Sequence, residues 1–239
     1  MENLNPNARA KGEIILINKP IGWSSFQAVK KIKYVTKAKK VGHAGTLDPL
    51  ASGLLIICTE QQTKGIQDLQ DANKEYEGTL VLGATTPSYD METEPNAHFP
   101  TEHITVAMVQ SIITQFLGEI EQIPPLFSAL KVNGKRAYTL ARQGATTVLK
   151  SRKITIHSLE FTRIEFPEVD FLVRCTKGTY IRSLVFDIGR ALQSGAYMSR
   201  LIRTKIGEHH IENSVSPHAF EEVFKSRNVE ISDTKQTNI

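Results

Sequence analysis

Between Gly42 and Gly53 the chain reads GHAGTLDPLASG, a short loop that gathers an imidazole (His43), a hydroxyl (Thr46), a carboxylate (Asp48) and three glycines. A carboxylate can serve as nucleophile, base or charge stabiliser, and this one stands directly before Pro49. The proline ring pushes the preceding residue to extended backbone and stiffens the chain, so the acid can be aimed. Gly42 and Gly45 permit close backbone approach by a ligand. An isolated Asp-Pro dipeptide does no more than open a turn; the company of His43 and the glycines is what points to chemistry. No Gly-Lys-Ser/Thr follows these glycines, so the loop is not a Walker phosphate cradle. There is no HExxH or paired Cys-x-x-Cys, and the adjacent His209 and His210 lack helical ligand spacing, so no metal is expected.

A second candidate is KGTYIR, where Lys177 and Arg182 fall at or near the start of a helix. The macrodipole is already positive there, and cations are mildly unfavourable unless an anion joins them. That anion can be a nucleic-acid phosphate or a carboxylate from elsewhere, with Asp48 the candidate; an Asp-Arg pair would keep the acid ionised and directed. Taken alone, Arg182 could equally be an exposed helix residue and Tyr180 a core aromatic. Tyr76, in KEYEG, alternates with charged neighbours, as a core ring does or as a platform on which a base stacks.

The elements that must position these groups are legible as patterns. EIILI reads as a buried strand, NKPIGWSS as a turn, and Ser24 or Ser25 as the cap of a helix that turns Phe26, Val29 and Ile32 to the core. Lys30, Lys33, Lys37 and Lys40 form a stripe if that helix continues; residues 30–40 hold six lysines and no acid. A lysine run can be a solvated face, but its place directly before the aspartate loop favours an anion-binding surface. LLIICT is a fully buried strand, KEYEGTLVLG a half-exposed one, and residues 84–103 a long loop. TVAMVQSIITQFLG is an amphipathic helix using Val106, Val109, Ile113, Phe116 and Leu117, closed by Gly118. Asn133-Gly134 marks a hairpin. Two long strands follow between Thr147 and Cys175, then a helix capped by Thr179 with Gly195 past its end, a strand in RLIRTKIG, and a short terminal helix in SPHAFEEVFKS. Without a regular strand-helix-strand repeat, the fold class is α+β, with a mixed, mainly antiparallel central sheet and flanking helices.

The 239 residues suit one large domain over 12–225, with a polar lead-in at 1–11, a short extension after 207 and a polar tail at 226–239. A net charge of +4 is a mild excess whose placement matters more than its size. Cys58 and Cys175 sit in apolar strand-like runs, where thiols behave as core residues, so a reducing compartment is expected. No apolar run approaches the roughly 18 residues of a membrane span, so a soluble cytoplasmic protein with no membrane partner is expected.

INKPIGWSS, GHAGTLDPLASGLL, KEYEG, PPLFSALKVNGKRAY and CTKGTYIRSL resemble, in order and spacing, the TruB-type tRNA pseudouridine synthases, which modify the T-loop uridine at tRNA position 55. The resemblance spans roughly residues 12–207 and implies the pseudouridine synthase fold. It implies that Asp48 is the catalytic nucleophile, that Tyr76 stacks on the target base and is a candidate for removing the C5 proton, and that Arg182 pairs with Asp48. Tyr180 then walls the uridine pocket, His43 contacts the refolded T-loop, Lys19 lies at the site, Leu201 packs on the base and Asp90 helps organise the site. Gly42 and Gly45 fill space vacated by the everted nucleotide, while Lys30, Lys33, Lys37, Lys40, Lys177, Arg200 and Arg203 hold phosphates. Isomerisation needs no redox change or external group, so no organic cofactor or metal is implied. The implied partner is the T-arm of tRNA, read without a guide RNA by a monomer. Many family members carry a PUA-type RNA-binding domain after the catalytic one, and too few residues follow Gly207 for it here. A noncatalytic RNA-binding or tRNA-folding module on the same scaffold is the competing reading; the presence of Asp48, Tyr76 and Arg182 together favours catalysis.

Overall fold

The computed structural model describes residues 12–128, 130–132, 135–142 and 149–236. They divide into two compact units, one of residues up to 72 together with those from 202 onward, and one of residues 73–201.

The first unit is built on β3 (Ser52–Thr59), whose unbroken apolar run is buried on both faces. Leu55 and Ile57 pack with Ile15, Ile17, Ala28, Val29, Ile32 and Phe220, while Leu54, Ile56 and Cys58 pack with Ala44 and Ile206. Each such side chain withdrawn from water contributes about 1.5–3 kcal/mol, so this strand anchors the unit. One edge of β3 carries β1 (Ile14–Lys19), antiparallel with Lys19 opposite Gly53. The other edge is shared. The antiparallel β2 (Val41–His43) ends with His43 opposite Ile57, and β12 (Ala196–Ile206) runs parallel with Arg203 opposite Gly53. Residues 44–51, with Asp48 among them, connect β2 to β3.

Helix α1 (Ser25–Thr36) begins at Ser24 with a capping box completed by Gln27. Its buried stripe is Ser25, Ala28, Val29 and Ile32, and Phe26 is 72% exposed, contrary to the expected core position. Steps of three residues drift 60° around a helix, and Phe26 falls outside the stripe that the other four define. The helix stops at Lys37, left-handed at φ 56°, so the lysine stripe does not continue as one helical row. Lys30, Lys33, Lys37 and Lys40 are nonetheless all exposed. Lys31 is different, pairing with Glu221 of α7 (Pro217–Gln236). That helix runs through residues that composition reads as a tail. Along the chain, α2 (Ile66–Asp71) follows β3 and closes the N-terminal part of this unit.

In the second unit the strand order is β12, β4 (Lys74–Leu82), β11 (Glu168–Cys175), β10 (Arg152–Glu165), β7 (Gly118–Gln122). The β4–β11, β11–β10 and β10–β7 pairs are all antiparallel, and the α+β, mainly antiparallel class is as expected. The segment expected as a plain loop holds a small ladder, β5 (Ala84–Thr85) with β6 (Ala97–His98). The expected single helix is two, α3 (Val106–Ser111) and α4 (Ile113–Phe116). Val109, Ile112 and Phe116 form its buried side, whereas Val106 and Leu117 are exposed. β8 (Lys131–Val132) pairs with β9 (Lys135–Arg136) around the expected hairpin, whose Asn133 and Gly134 lie outside the described residues, as does Thr147. After α5 (Ala137–Arg142) and the two long strands comes α6 (Ile181–Ala191), capped by Tyr180 rather than Thr179. Thr179 Oγ1 donates to Thr176 O instead, at 3.0 Å. Past the end of α6, Gln193 takes the left-handed turn at φ 52°; Gly195 serves a close approach, since a Cβ there would lie 2.6 Å from Phe99. No helix among the described residues is long and apolar enough to cross a membrane.

Candidate active site

The candidate residues divide between the units. In the first, the Asp48 loop is held from several sides. Ser25 Oγ accepts from Leu47 N at 2.8 Å and donates to Leu47 O at 3.1 Å, so the start of α1 grips the residue before the acid. On the other side of Asp48, Pro49 O accepts from Gly22 N at 2.8 Å. Gly45 turns the chain at φ 93°, a conformation that a side chain would strain. At Gly42 a Cβ would stand 2.6 Å from Ile66 Cδ1, the far end of a flexible side chain.

Two buried cations belong to this loop. Lys19, with 0% exposure, donates through Nζ to Pro20 O at 3.0 Å and Trp23 O at 2.6 Å. Burial lowers its pKa to about 8; the Asp48 charge resists that shift and the Arg203 charge adds to it. Arg203 corrects the sequence expectation. It is 1% exposed, and its Nε donates to Leu54 O at 2.8 Å while Nη2 donates to Gly45 O at 3.1 Å. A guanidinium turned inward onto two carbonyls does not present itself to a phosphate. Burial foremost pushes the His43 imidazole below its ordinary value, aided by Arg203 and opposed by the Gly45 backbone, so the ring is neutral near pH 7.

In the second unit Tyr76 lies on β4 opposite Val173 and is 9% exposed. Arg182, on the first turn of α6, is 3% exposed; Nη1 donates to Ser88 O at 3.0 Å, Nη2 to Phe127 O at 2.9 Å, and Nε stands 3.5 Å from Asp90 Oδ2. Asp90 is itself buried and accepts from Glu92 N at 2.9 Å, and its own carbonyl receives Thr86 Oγ1 and Ser88 Oγ. The hydroxyl-rich loop therefore shapes a carboxylate that steadies the Arg182 guanidinium. Tyr180 is clamped by Gln122, which accepts from its N–H at 2.8 Å and donates to its carbonyl at 3.1 Å. Arg152 lies over the Tyr180 ring at 4.4 Å. Neither Gln122 nor Arg152 carries a sequence signal, since each is one polar residue in a strand. Leu201 is buried, whereas Lys177 and Arg200 are exposed, the latter with Nη2 4.0 Å from Asp170. Among the described residues no three His, Cys, Asp or Glu side chains could hold a metal ion.

The sequence pattern of the TruB family pseudouridylate synthase (N terminal domain) matches residues 33–181, and the chain belongs to that family. It is thereby an isomerase. It is similar to tRNA pseudouridine synthase B of Flavobacterium johnsoniae, 53% identical over 226 residues, covering 92% of this chain and 99% of that protein. The protein of the same name from Bacteroides fragilis is 50% identical over 229 residues, with 93% and 98% covered. Among solved structures, a chain of a Cbf5-Nop10-Gar1 complex superposes with a TM-score of 0.70 at 31% identity over 90% of this chain. A chain of the archaeal box H/ACA sRNP Nop10-Cbf5 complex gives 0.69 at 27% over 93%. This chain spans 55% and 57% of those two solved chains.

Proposed function

We propose that this protein converts the T-loop uridine at tRNA position 55 to pseudouridine, with Asp48 as the catalytic carboxylate. The observation that carries the reading is likeness to proteins named tRNA pseudouridine synthase B across 98–99% of their length. The isomerisation breaks the N1–C1′ bond and forms C5–C1′; the C5 proton leaves to solvent and N1 gains one, so atoms and electrons balance without a cofactor. Uridine inside a folded loop must first be everted, at a cost of a few kcal/mol of stacking. Asp48 supplies the negative charge that carries the nucleoside from bond breaking to bond making. Arg182, steadied by Asp90, directs that carboxylate. Tyr76 stacks on the base and takes part in C5 proton removal, Tyr180 and Leu201 wall the pocket, and neutral His43 occupies the space the nucleotide leaves. Lys30, Lys33, Lys37, Lys40 and Lys177 hold phosphates of the T-arm. The enzyme acts in the cytoplasm as a monomer and without a guide RNA.

Tritium release from tRNA labelled at uridine C5 tests the reading. The wild type releases label and Asp48→Asn does not, although it still binds tRNA. Equal release by the two proteins refutes the role of Asp48; binding without release by the wild type refutes catalysis.

A further inference from the structure

We infer that Arg203 is a positioning residue for Asp48, acting by tying both ends of the aspartate loop to a single strand. The inference rests on the reading of Asp48 given above. Gly45 precedes Asp48 by three residues and Leu54 follows it by six; the carbonyls of both accept from the one guanidinium, at 3.1 and 2.8 Å. A guanidinium is planar and rigid, so bonding both carbonyls sets the span between them. The backbone of Arg203 adds a second tie. It pairs with Gly53, where a Cβ would lie 2.4 Å from Arg203 O, so only glycine lets the two strands meet this closely. One residue therefore defines where the loop leaves and where it re-enters the sheet.

The rest of the loop's support is consistent with this division of labour. Ser25 and Gly22 hold the residues on either side of Asp48, but both lie before the loop in sequence, on the β1–α1 connection and the start of α1. Arg203 joins the loop to β12, beside the Ile202–Ser52 pairing at the start of β3. Its guanidinium forms no ion pair among the described residues, and its charge instead acts on Lys19 and His43, lowering the pKa of both. A buried cation with no carboxylate partner is costly, and a neutral donor could have made the same bonds to carbonyl oxygen. The retained charge fits a site that holds a carboxylate as it reacts.

The test compares Arg203→Gln and Arg203→Lys with the wild type and Asp48→Asn, by single-turnover tritium release and by tRNA affinity over a range of salt. Arg203→Gln should lose about a hundredfold in turnover, as expected when a reacting group is displaced by about 1 Å, with affinity within about twofold of wild type and the same salt slope. Arg203→Lys, which cannot span both carbonyls in one plane, should fall between. A general loosening of the fold would weaken tRNA binding along with turnover, and that outcome overturns the inference. So does wild-type turnover in either folded variant, or weaker binding with the salt slope reduced by about one, the mark of a phosphate contact. If circular dichroism shows Arg203→Gln unfolded, Arg203→Lys decides alone. Release by Asp48→Asn would instead fault the underlying reading, whereas an inactive Asp48→Asn beside a fully active Arg203→Gln faults only this one.

Discussion

Lys19 ends β1 wholly buried, with an ammonium that shares its surroundings with Asp48 and Arg203. This ammonium feels the Asp48 charge, and with a pKa of about 8 it loses its proton within reach of ordinary assays. Single-turnover release should therefore decline as pH rises through about 8; Lys19→Met should be slow with no such limb, and Lys19→Arg should move the limb upward. Stability runs the other way. The folded pKa lies below the unfolded one, so the cost of burying the charge is fully present below about pH 8 and is relieved as pH rises toward 10.5. A melt that sharpens or holds across this interval while turnover falls separates titration from unfolding. At this scale Asp48 and His43 announce themselves by type and company. Arg203 does not, because a cation in a strand reads as surface. Yet a period of two places it on the face of buried Leu201, and the inner face is where it lies.

Helix α1 does two separable jobs through neighbouring serines. Ser24 caps it, so Ser24→Ala should cost about 1 kcal/mol in urea unfolding while leaving turnover per folded molecule unchanged. Ser25 grips Leu47, and Ser25→Ala leaves that buried N–H without its acceptor, at about 1–3 kcal/mol. Turnover should fall severalfold as well, because the backbone next to Asp48 loses its tie. A Ser25→Ala variant with lowered stability and unaltered turnover would show that the loop is held elsewhere. Element types were largely legible from periodicity, while their details were decided by packing. The break at Ile112 keeps a buried stripe of Val109, Ile112 and Phe116 running through two short helices, which no spacing rule distinguishes from one. Tyr180 rather than Thr179 caps α6 because Gln122, 58 residues earlier, holds its backbone.

Across the whole molecule the charge excess is only +4, so its use depends on which cations are committed inward. Lys19 and Arg203 are buried and Lys31 is paired with Glu221, while Lys30, Lys33, Lys37 and Lys40 are exposed and make no ion pair among the described residues. Replacing those four with Gln should flatten the dependence of log affinity for tRNA on log salt by roughly 0.7–0.9 for each phosphate that is no longer neutralised. Lys31→Gln should leave the slope alone and lower stability instead. An unchanged slope in the fourfold variant would place phosphate binding on another surface. Burial pushes both thiols up, Cys58 and Cys175 alike to about 11, so alkylation at pH 7 should report unfolding and little else.

The amino-acid order alone determined the aspartate loop, the apolar strand that receives it and the α+β class, because these rest on residue type and short-range period. Tertiary structure alone decided the direction of each charged side chain. The carbonyls that Arg203 meets lie 158 and 149 residues away along the chain, and the burial that shifts Lys19 comes from packing around it. Such partners are set by which strands pair, and no local pattern encodes an interaction made at that distance.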